Sequence, residues 1–136
     1  MKEQGNVSTV KKLFEHFGKG NIPAAMDLFD EKVEFQSPVT RTSHKHISWS
    51  AIRRNKNQIG SFFQELNQKV QLEEMVVSVI TAQNDRVVVE GRNRGKVMST
   101  GKAYEHDWVM IFEVIEGKIT KNLHYYDTAD LEVAFE

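Results

Sequence analysis

The side chains best suited to chemistry in this chain are its histidines, because imidazole exchanges a proton near neutral pH without any help from its surroundings. Five are present, and two of them fall in alternating runs that read as strands. In the first run Tyr104, His106, Trp108, Met110 and Phe112 take one parity, and Glu105, Asp107, Val109, Ile111 and Glu113 the other. In a second run Val87, Val89, Gly91, Asn93, Gly95 and Val97 are apolar or small, while Glu90, Arg92, Arg94 and Lys96 are charged. Successive side chains of a strand point to opposite faces, so each run has one inward row. If the inward rows meet, His106, His124, Asn93, Trp108 and Tyr126 share one concave surface, with Ser37, Phe35, Met110 and Trp49 completing its wall. On such a surface His124 and His106 are the candidate catalytic residues. Either serves as a general base, with Asn93 or Tyr126 donating a hydrogen bond to a developing oxyanion. In the competing reading these histidines are satisfied core residues that only shape the cavity. Trp49 either lines the mouth of that cavity or anchors its own loop.

Other chemistries are excluded or unsupported. The chain has no cysteine, hence no thiol nucleophile, disulfide or thiolate metal site. His44 and His46 are spaced like a ligand pair, but no second pair accompanies them, so no metal and no cofactor is expected. Lys and Arg number 18 against 19 Asp and Glu, a balance that argues against nucleic acid as a partner. Arg53-Arg54 and Arg92-x-Arg94 are interspersed with acids and read as solvated faces or an interface. Asp127, before Thr128 and Asp130, reads as the cap of a helix rather than as a partner for a histidine.

The elements that must position these residues fit one domain over residues 1–136: the chain is 136 residues long, 40% hydrophobic and 27% charged, enough to bury a core without staples. Val7, Val10, Leu13, Phe14 and Phe17 have helical spacing, with Gly18 and Gly20 as stop signals. Asn21 caps a short second helix with Pro23 in its first turn. Val33 to Ser37 alternates as a short strand that Pro38 ends. A loop, Val39 to Lys56, leads to a third helix carrying Ile59, Phe62, Phe63, Leu66 and Val70, opened by Asn55 with Gln58 three residues on. From Leu72 the period becomes two, through Glu74–Ala82, Arg86–Met98, Tyr104–Ile115 and Ile119–Tyr126, an antiparallel meander. Helices first and strands after predict an α+β fold, a curved sheet with helices on one face.

Loop lengths set which inward residues meet. A four-residue connection, Ser99 to Lys102, places Arg94 opposite Asp107 and Lys96 opposite Glu105 outside, with Gly95 opposite His106 and Asn93 opposite Trp108 inside. Gly91 and Gly95 beside large rings leave space there, the start of a ligand cavity, or else merely bend the sheet. For the last hairpin a two-residue Glu116-Gly117 turn demands φ > 0 at Glu116 and turns Leu123 and Tyr125 inward. A three-residue Ile115-Glu116-Gly117 loop avoids that demand and sets Trp108 opposite His124 and His106 opposite Tyr126. The three-residue loop is the expected one.

With these elements in order, the segments Thr100-Gly101-Lys102-Ala103-Tyr104, Glu116-Gly117-Lys118-Ile119 and Tyr125-Tyr126-Asp127-Thr128, together with Ile47-Ser48-Trp49 through Asn57, Ile59 and Phe62-Phe63, resemble the nuclear transport factor 2-like superfamily. Within it the chain is most similar to SnoaL-like, ketosteroid isomerase-related proteins, over nearly its whole length. The resemblance implies a cone-shaped, mixed or antiparallel curved sheet closed by three helices around an apolar pocket, ahead of a C-terminal helix. It also implies a homodimer through the outer face of the sheet. It does not carry over the family's catalytic groups. The position of the steroid isomerases' general-base Asp matches Ser37, and that of their oxyanion-hole Tyr matches Leu13. The limonene epoxide hydrolase-like Arg-x-Asp pair and second Asp match Gly91, Asn93 and His124.

The combined expectation is a protein that binds a small, largely apolar molecule, with proton-transfer catalysis of isomerase, cyclase or hydrolase type. The alternative is a non-catalytic ligand-binding or protein-interaction domain of the same fold. Neither signal peptide nor membrane span is apparent, so a soluble cytoplasmic protein without membrane or nucleic-acid partners is expected.

Overall fold

A computed structural model describes all residues, Met1 to Glu136. The elements run α1 (Lys2–Gly18), α2 (Ile22–Met26), β1 (Phe29–Gln36), α3 (Lys56–Lys69), β2 (Val70–Gln83), β3 (Arg86–Val97), β4 (Ala103–Ile115), β5 (Lys118–Tyr126) and α4 (Thr128–Ala134). The strands form one sheet in the order β1-β5-β4-β3-β2. β2 to β5 are the expected antiparallel meander, and β1 closes the sheet as a parallel neighbour of β5. No helix is long and apolar enough to cross a membrane.

Local chemistry explains the helix starts. Asn21 Oδ1 accepts the Ala24 N–H at the head of α2, and Asn55 Oδ1 accepts the Gln58 N–H at the head of α3. Gln58 Oε1 accepts in return from the Arg54 N–H, a reciprocal arrangement displaced by one residue from the capping box. α1 begins five residues before its apolar stripe because tertiary bonds hold its first turn. Glu3 accepts the Asn84 N–H, Lys2 pairs with Asp85 at 3.0 Å, and Asn6 donates to the Asn84 carbonyl.

The core lies between the inward rows of the sheet and the helices. Phe14 of α1 stacks on Trp108 with ring centroids 5.9 Å apart and meets Phe112 edge-on. Phe62 of α3 packs edge-on against Phe35 at 4.8 Å. The 37–55 loop folds back as part of this core, with Ile47 and Trp49 buried and Arg53 bridged to Phe35 by two backbone hydrogen bonds.

Two registers differ from the expected ones. The β3–β4 connection keeps four residues but sits one residue earlier, at Met98–Gly101, with the Val97 N–H donating to the Lys102 carbonyl, so Arg92 faces Asp107, Arg94 faces Glu105, Asn93 faces His106 and Gly91 faces Trp108. The shift is two residues and leaves the inward and outward rows unchanged. The glycines do not leave empty space. A Cβ on Gly91 would collide with the Trp108 ring and the Val76 carbonyl, and one on Gly95 with Tyr104 and the Gln71 carbonyl. Their missing side chains are what let these two rings lie on β3.

The β4–β5 turn is the rejected two-residue one. Glu116 and Gly117 both have positive φ, 51° and 79°, as a type I′ hairpin requires. A bulge restores the parity. Ile119 pairs with Val114 and Lys121 with Glu113, leaving Thr120 as the extra residue, and its hydroxyl donates to the Glu113 carboxylate at 2.7 Å. Beyond it Trp108 faces Tyr126 and Met110 faces His124, so His124 and Tyr126 point inward despite the short turn.

Candidate active site

The concave face of the sheet and the helices enclose a cavity of about 480 Å³, within the range of sites that take drug-sized ligands. Its wall is mostly apolar. Phe17, Phe63 and Leu66 come from α1 and α3, Phe35 from β1 and Met110 from β4, with Trp49 from the long loop. The polar groups are few and, apart from Asn67 of α3, come from neighbouring inward positions: Ser37, Asn93, His106, Asn122, His124 and Tyr126. Trp108 is the exception among the expected site residues. It is buried but does not line this cavity, because its ring lies over Gly91 beneath Phe14.

Trp108 acts on the site through a hydrogen bond instead. Its Nε1–H donates to Asn93 Oδ1 at 2.8 Å. An indole N–H only donates, so this bond fixes the carboxamide with its oxygen toward Trp108 and its NH₂ group free to donate elsewhere. Asn93 pairs directly with His106 across β3 and β4, so that donor stands beside the imidazole.

His106 Nδ1 lies 3.2 Å from Asp130 Oδ2. The carboxylate accepts, so Nδ1 carries the proton and Nε2 presents a lone pair. The same oxygen accepts the Glu105 N–H at 3.1 Å. The ring is held on both faces, Tyr126 stacking at 5.0 Å and 9° and Tyr104 at 5.2 Å and 25°. Tautomer, plane and position of His106 are therefore all fixed by neighbours.

His124 has a different environment. Its Nδ1 meets Ser37 Oγ at 2.8 Å, and its Nε2 is buried without a hydrogen-bond partner. Burial, reinforced by the nearby His106, pulls its pKa down to about 3, so the ring is neutral at pH 7. Tyr126 stands between the histidines, its ring 4.9 Å from His124 and 5.0 Å from His106. Burial pushes the Tyr126 hydroxyl well above the usual phenol range, against the lowering influence of the Trp49 indole. Tyr104 is likewise raised, to about 12, by burial and then by the charge of Glu73. Both phenols stay protonated at neutral pH and can act only as hydrogen-bond donors or acceptors.

Sequence reasoning missed two residues here. Asp130 supplies the carboxylate that the inward rows lack. Asp127 caps α4 as expected, its Oδ1 accepting the Asp130 N–H, but this turns the Asp130 side chain back over β4, which no strand alternation reveals. Asn122 was legible, since it shares the parity of His124 and Tyr126. Of the His44-x-His46 pair, His46 takes a structural role. His46 stacks on Phe135 at 5.3 Å and its N–H is accepted by Glu132 at 3.0 Å, pinning the loop to α4. No three His, Asp or Glu side chains converge in a way that could hold a metal ion.

A curved α+β sheet with helices over its concave face and an apolar cavity between them defines a nuclear transport factor 2-like protein. The family model described as SnoaL-like domain matches residues 10–122, and the chain belongs to that family. Among solved structures it is similar to a nuclear transport factor 2-like protein from Burkholderia xenovorans LB400, at 28% identity over 100% of this chain and 99% of that one, with a TM-score of 0.83. A provisionally named polyketide cyclase from Xanthomonas campestris pv. campestris shares 20% identity over the full length of both chains, TM-score 0.79. A provisionally named isomerase from Bacillus subtilis shares 19% over 99% of this chain and 96% of that one, TM-score 0.79. No curated protein matches the chain. The last two likenesses establish the fold only.

Proposed function

We propose that the protein binds a small, largely apolar molecule bearing a carbonyl group and catalyses proton transfer on it. His106 is the general base and Asn93 the oxyanion donor. The carrying observation is the juxtaposition of an Asp130-oriented imidazole with an amide NH₂ freed by Trp108. His106 Nε2 removes a proton from the carbon next to the carbonyl, the C–H electrons move into the carbonyl, and the enolate oxygen accepts from Asn93 Nδ2–H. The imidazolium, lying against the Asp130 carboxylate, then returns its proton to carbon. Return at another position is an isomerisation, and attack of the enolate carbon on a second carbonyl of the same molecule, whose oxygen then takes the imidazolium's proton, is a cyclisation. The names given to the Xanthomonas and Bacillus neighbours are of these two kinds. His124, neutral and bonded to Ser37, is too weak a base at pH 7 for this step and takes a hydrogen-bonding role.

Exchange of the C2 protons of 1-tetralone for deuterium in D₂O, followed by NMR, tests this reading without the natural substrate. The protein accelerates exchange and His106→Gln abolishes the acceleration. Binding of tetralone with no acceleration by the wild type overturns catalysis and leaves a ligand-binding domain.

We further propose that two copies pair through the outer face of the sheet, on which Val88, Ile111 and Leu123 form one apolar row across three strands and Val109 and Tyr125 extend a second. Tyr125 and Val79 are 43% and 48% exposed, and both helices that bear the core lie on the opposite face.

A further inference from the structure

Three residues of the cavity wall keep buried polar atoms without partners, Trp49 Nε1, Asn122 Oδ1 and His124 Nε2, and the last two are neighbours on one strand. These two residues are at least nine-tenths buried, with 4% and 9% exposure. They stand two apart on the inward face of β5, roughly 7 Å between Cα atoms. An unpaired buried polar group is destabilising, and its persistence beside a cavity calls for a partner that arrives from outside.

The chemistry of that partner follows from Ser37. Its hydroxyl, itself buried, has His124 Nδ1 as its one hydrogen-bond partner. If Ser37 accepted from Nδ1–H, its own proton would be orphaned, so it donates to Nδ1, which places the ring proton on Nε2. The wall then holds an acceptor at Asn122 and a donor at His124, neither of them open to solvent. A hydroxyl is the smallest group that donates to the first and accepts from the second, and it also serves Asn122 if the carboxamide is turned over. We propose that Asn122 and His124 form a subsite for a hydroxyl of the ligand, separate from the His106–Asn93 pair.

This rests on the reading of the cavity as a small-molecule site, and it narrows the substrate class. The two ring spacings through Tyr126, 5.0 and 4.9 Å, put the histidine rings within about 10 Å of each other. The ligand is therefore a compact hydroxyketone with its polar groups at opposite ends of an apolar body, about the span of a fused bicycle.

The test is calorimetric binding of 6-hydroxy-1-tetralone, 6-methoxy-1-tetralone and 1-tetralone to the wild type and to Asn122→Leu. The hydroxy compound binds the wild type about tenfold tighter than the unsubstituted one, as one or two well-placed buried hydrogen bonds predict. The methoxy compound, which can accept but not donate, loses most of that preference. In Asn122→Leu the ratio falls below about threefold, and the ligand-free variant melts a few degrees higher, because an orphaned polar atom has been replaced by an apolar group of similar size. Equal binding of hydroxy and unsubstituted compounds by the wild type means water serves these atoms and overturns the subsite while leaving the cavity reading intact. A preference that survives in Asn122→Leu removes Asn122 from it. Failure of all three compounds to bind at millimolar concentration overturns the cavity reading as well. The wild-type comparison decides the matter even if the variant does not fold.

Discussion

His106 and His124 flank the same tyrosine, yet only one of them has a carboxylate. Asp130 lies on His106 Nδ1, whereas His124 is bonded to a neutral hydroxyl in a buried setting. The difference divides their labour and gives each a distinct signature. For His106 the residue to test is Asp130, which holds the ring by Nδ1 and does not line the cavity. Asp130→Asn removes the charge and allows the other tautomer, so tetralone exchange falls by about 10²-fold with binding of the ketone changed less than threefold. A structural role alone would lower stability and leave the exchange rate per folded molecule unchanged. For His124 the signature is thermodynamic. Its folded pKa of about 3 lies below the unfolded value of about 6.5, so the unfolded state binds the extra proton between those two values. Stability from this group is complete above pH 6.5 and is lost as pH falls toward 3, by about 1.4 kcal/mol per pH unit. Denaturant melts of wild type and His124→Gln between pH 4 and 7 check it, the variant showing a shallower slope. At pH 7 that variant folds normally, whereas Trp108→Ala, which removes a ring stacked on Phe14 and frees the Asn93 amide, loses about 3–5 kcal/mol. If both variants unfold equally readily at pH 7, His124 is a packing residue.

At the scale of the element, alternation carried the inward rows of β3, β4 and β5 correctly, because a period of two survives any even shift of register. It could not carry the registers. The β3–β4 shift changed every cross-strand pair while preserving both faces, and the β4–β5 hairpin reached the expected face by a tighter turn plus the Thr120 bulge. Nothing in a single strand's pattern marks a bulge, since the extra residue is defined by its partner strand. The parallel pairing of β1 with β5 and the approach of α4 to His106 were equally illegible, both being contacts between segments far apart in the chain. Gly91 and Gly95 were read as open space, and their actual role yields a prediction. A methyl at position 91 must displace the Trp108 ring or the β2 backbone, so Gly91→Ala costs stability on the scale of core overpacking, about 1–3 kcal/mol. Because Trp108 also holds Asn93, the same change lowers tetralone exchange in the folded fraction. Thermal melts with exchange rates measured below the transition check both effects. A Gly91→Ala protein of wild-type stability would mean that the ring and strand relax freely, and the orientation of Asn93 would then need another source.

For the whole molecule, the division of the sheet into two faces sets the last expectation. The concave face is fully used by helices and cavity. The outer face carries Val88, Val109, Ile111, Leu123 and Tyr125, flanked by Arg92, Arg94, Glu105 and Asp107, and no element of the chain crosses it. Within one copy its charges already pair in part, Arg94 with Glu74 at 3.4 Å and Arg92 with Glu105 at 3.7 Å. The apolar rows have no such partners, and a contiguous apolar patch framed by charge is the usual form of a protein interface. A two-fold axis through Val109 and Ile111 would set the same rows against each other, the self-complementary contact of a closed dimer. Since the cavity is lined by the inward rows of the sheet and by the helices, and by none of these outer-face residues, dimer formation leaves the two sites independent. Sedimentation at micromolar concentration therefore gives a dimer, and Ile111→Glu, which places a carboxylate at the centre of the patch without touching the cavity wall, gives a monomer. That monomer retains tetralone exchange per subunit within about twofold if the interface only covers apolar surface. A wild-type monomer at these concentrations would refute the pairing, and loss of exchange in a folded monomeric variant would show that the interface supports the site.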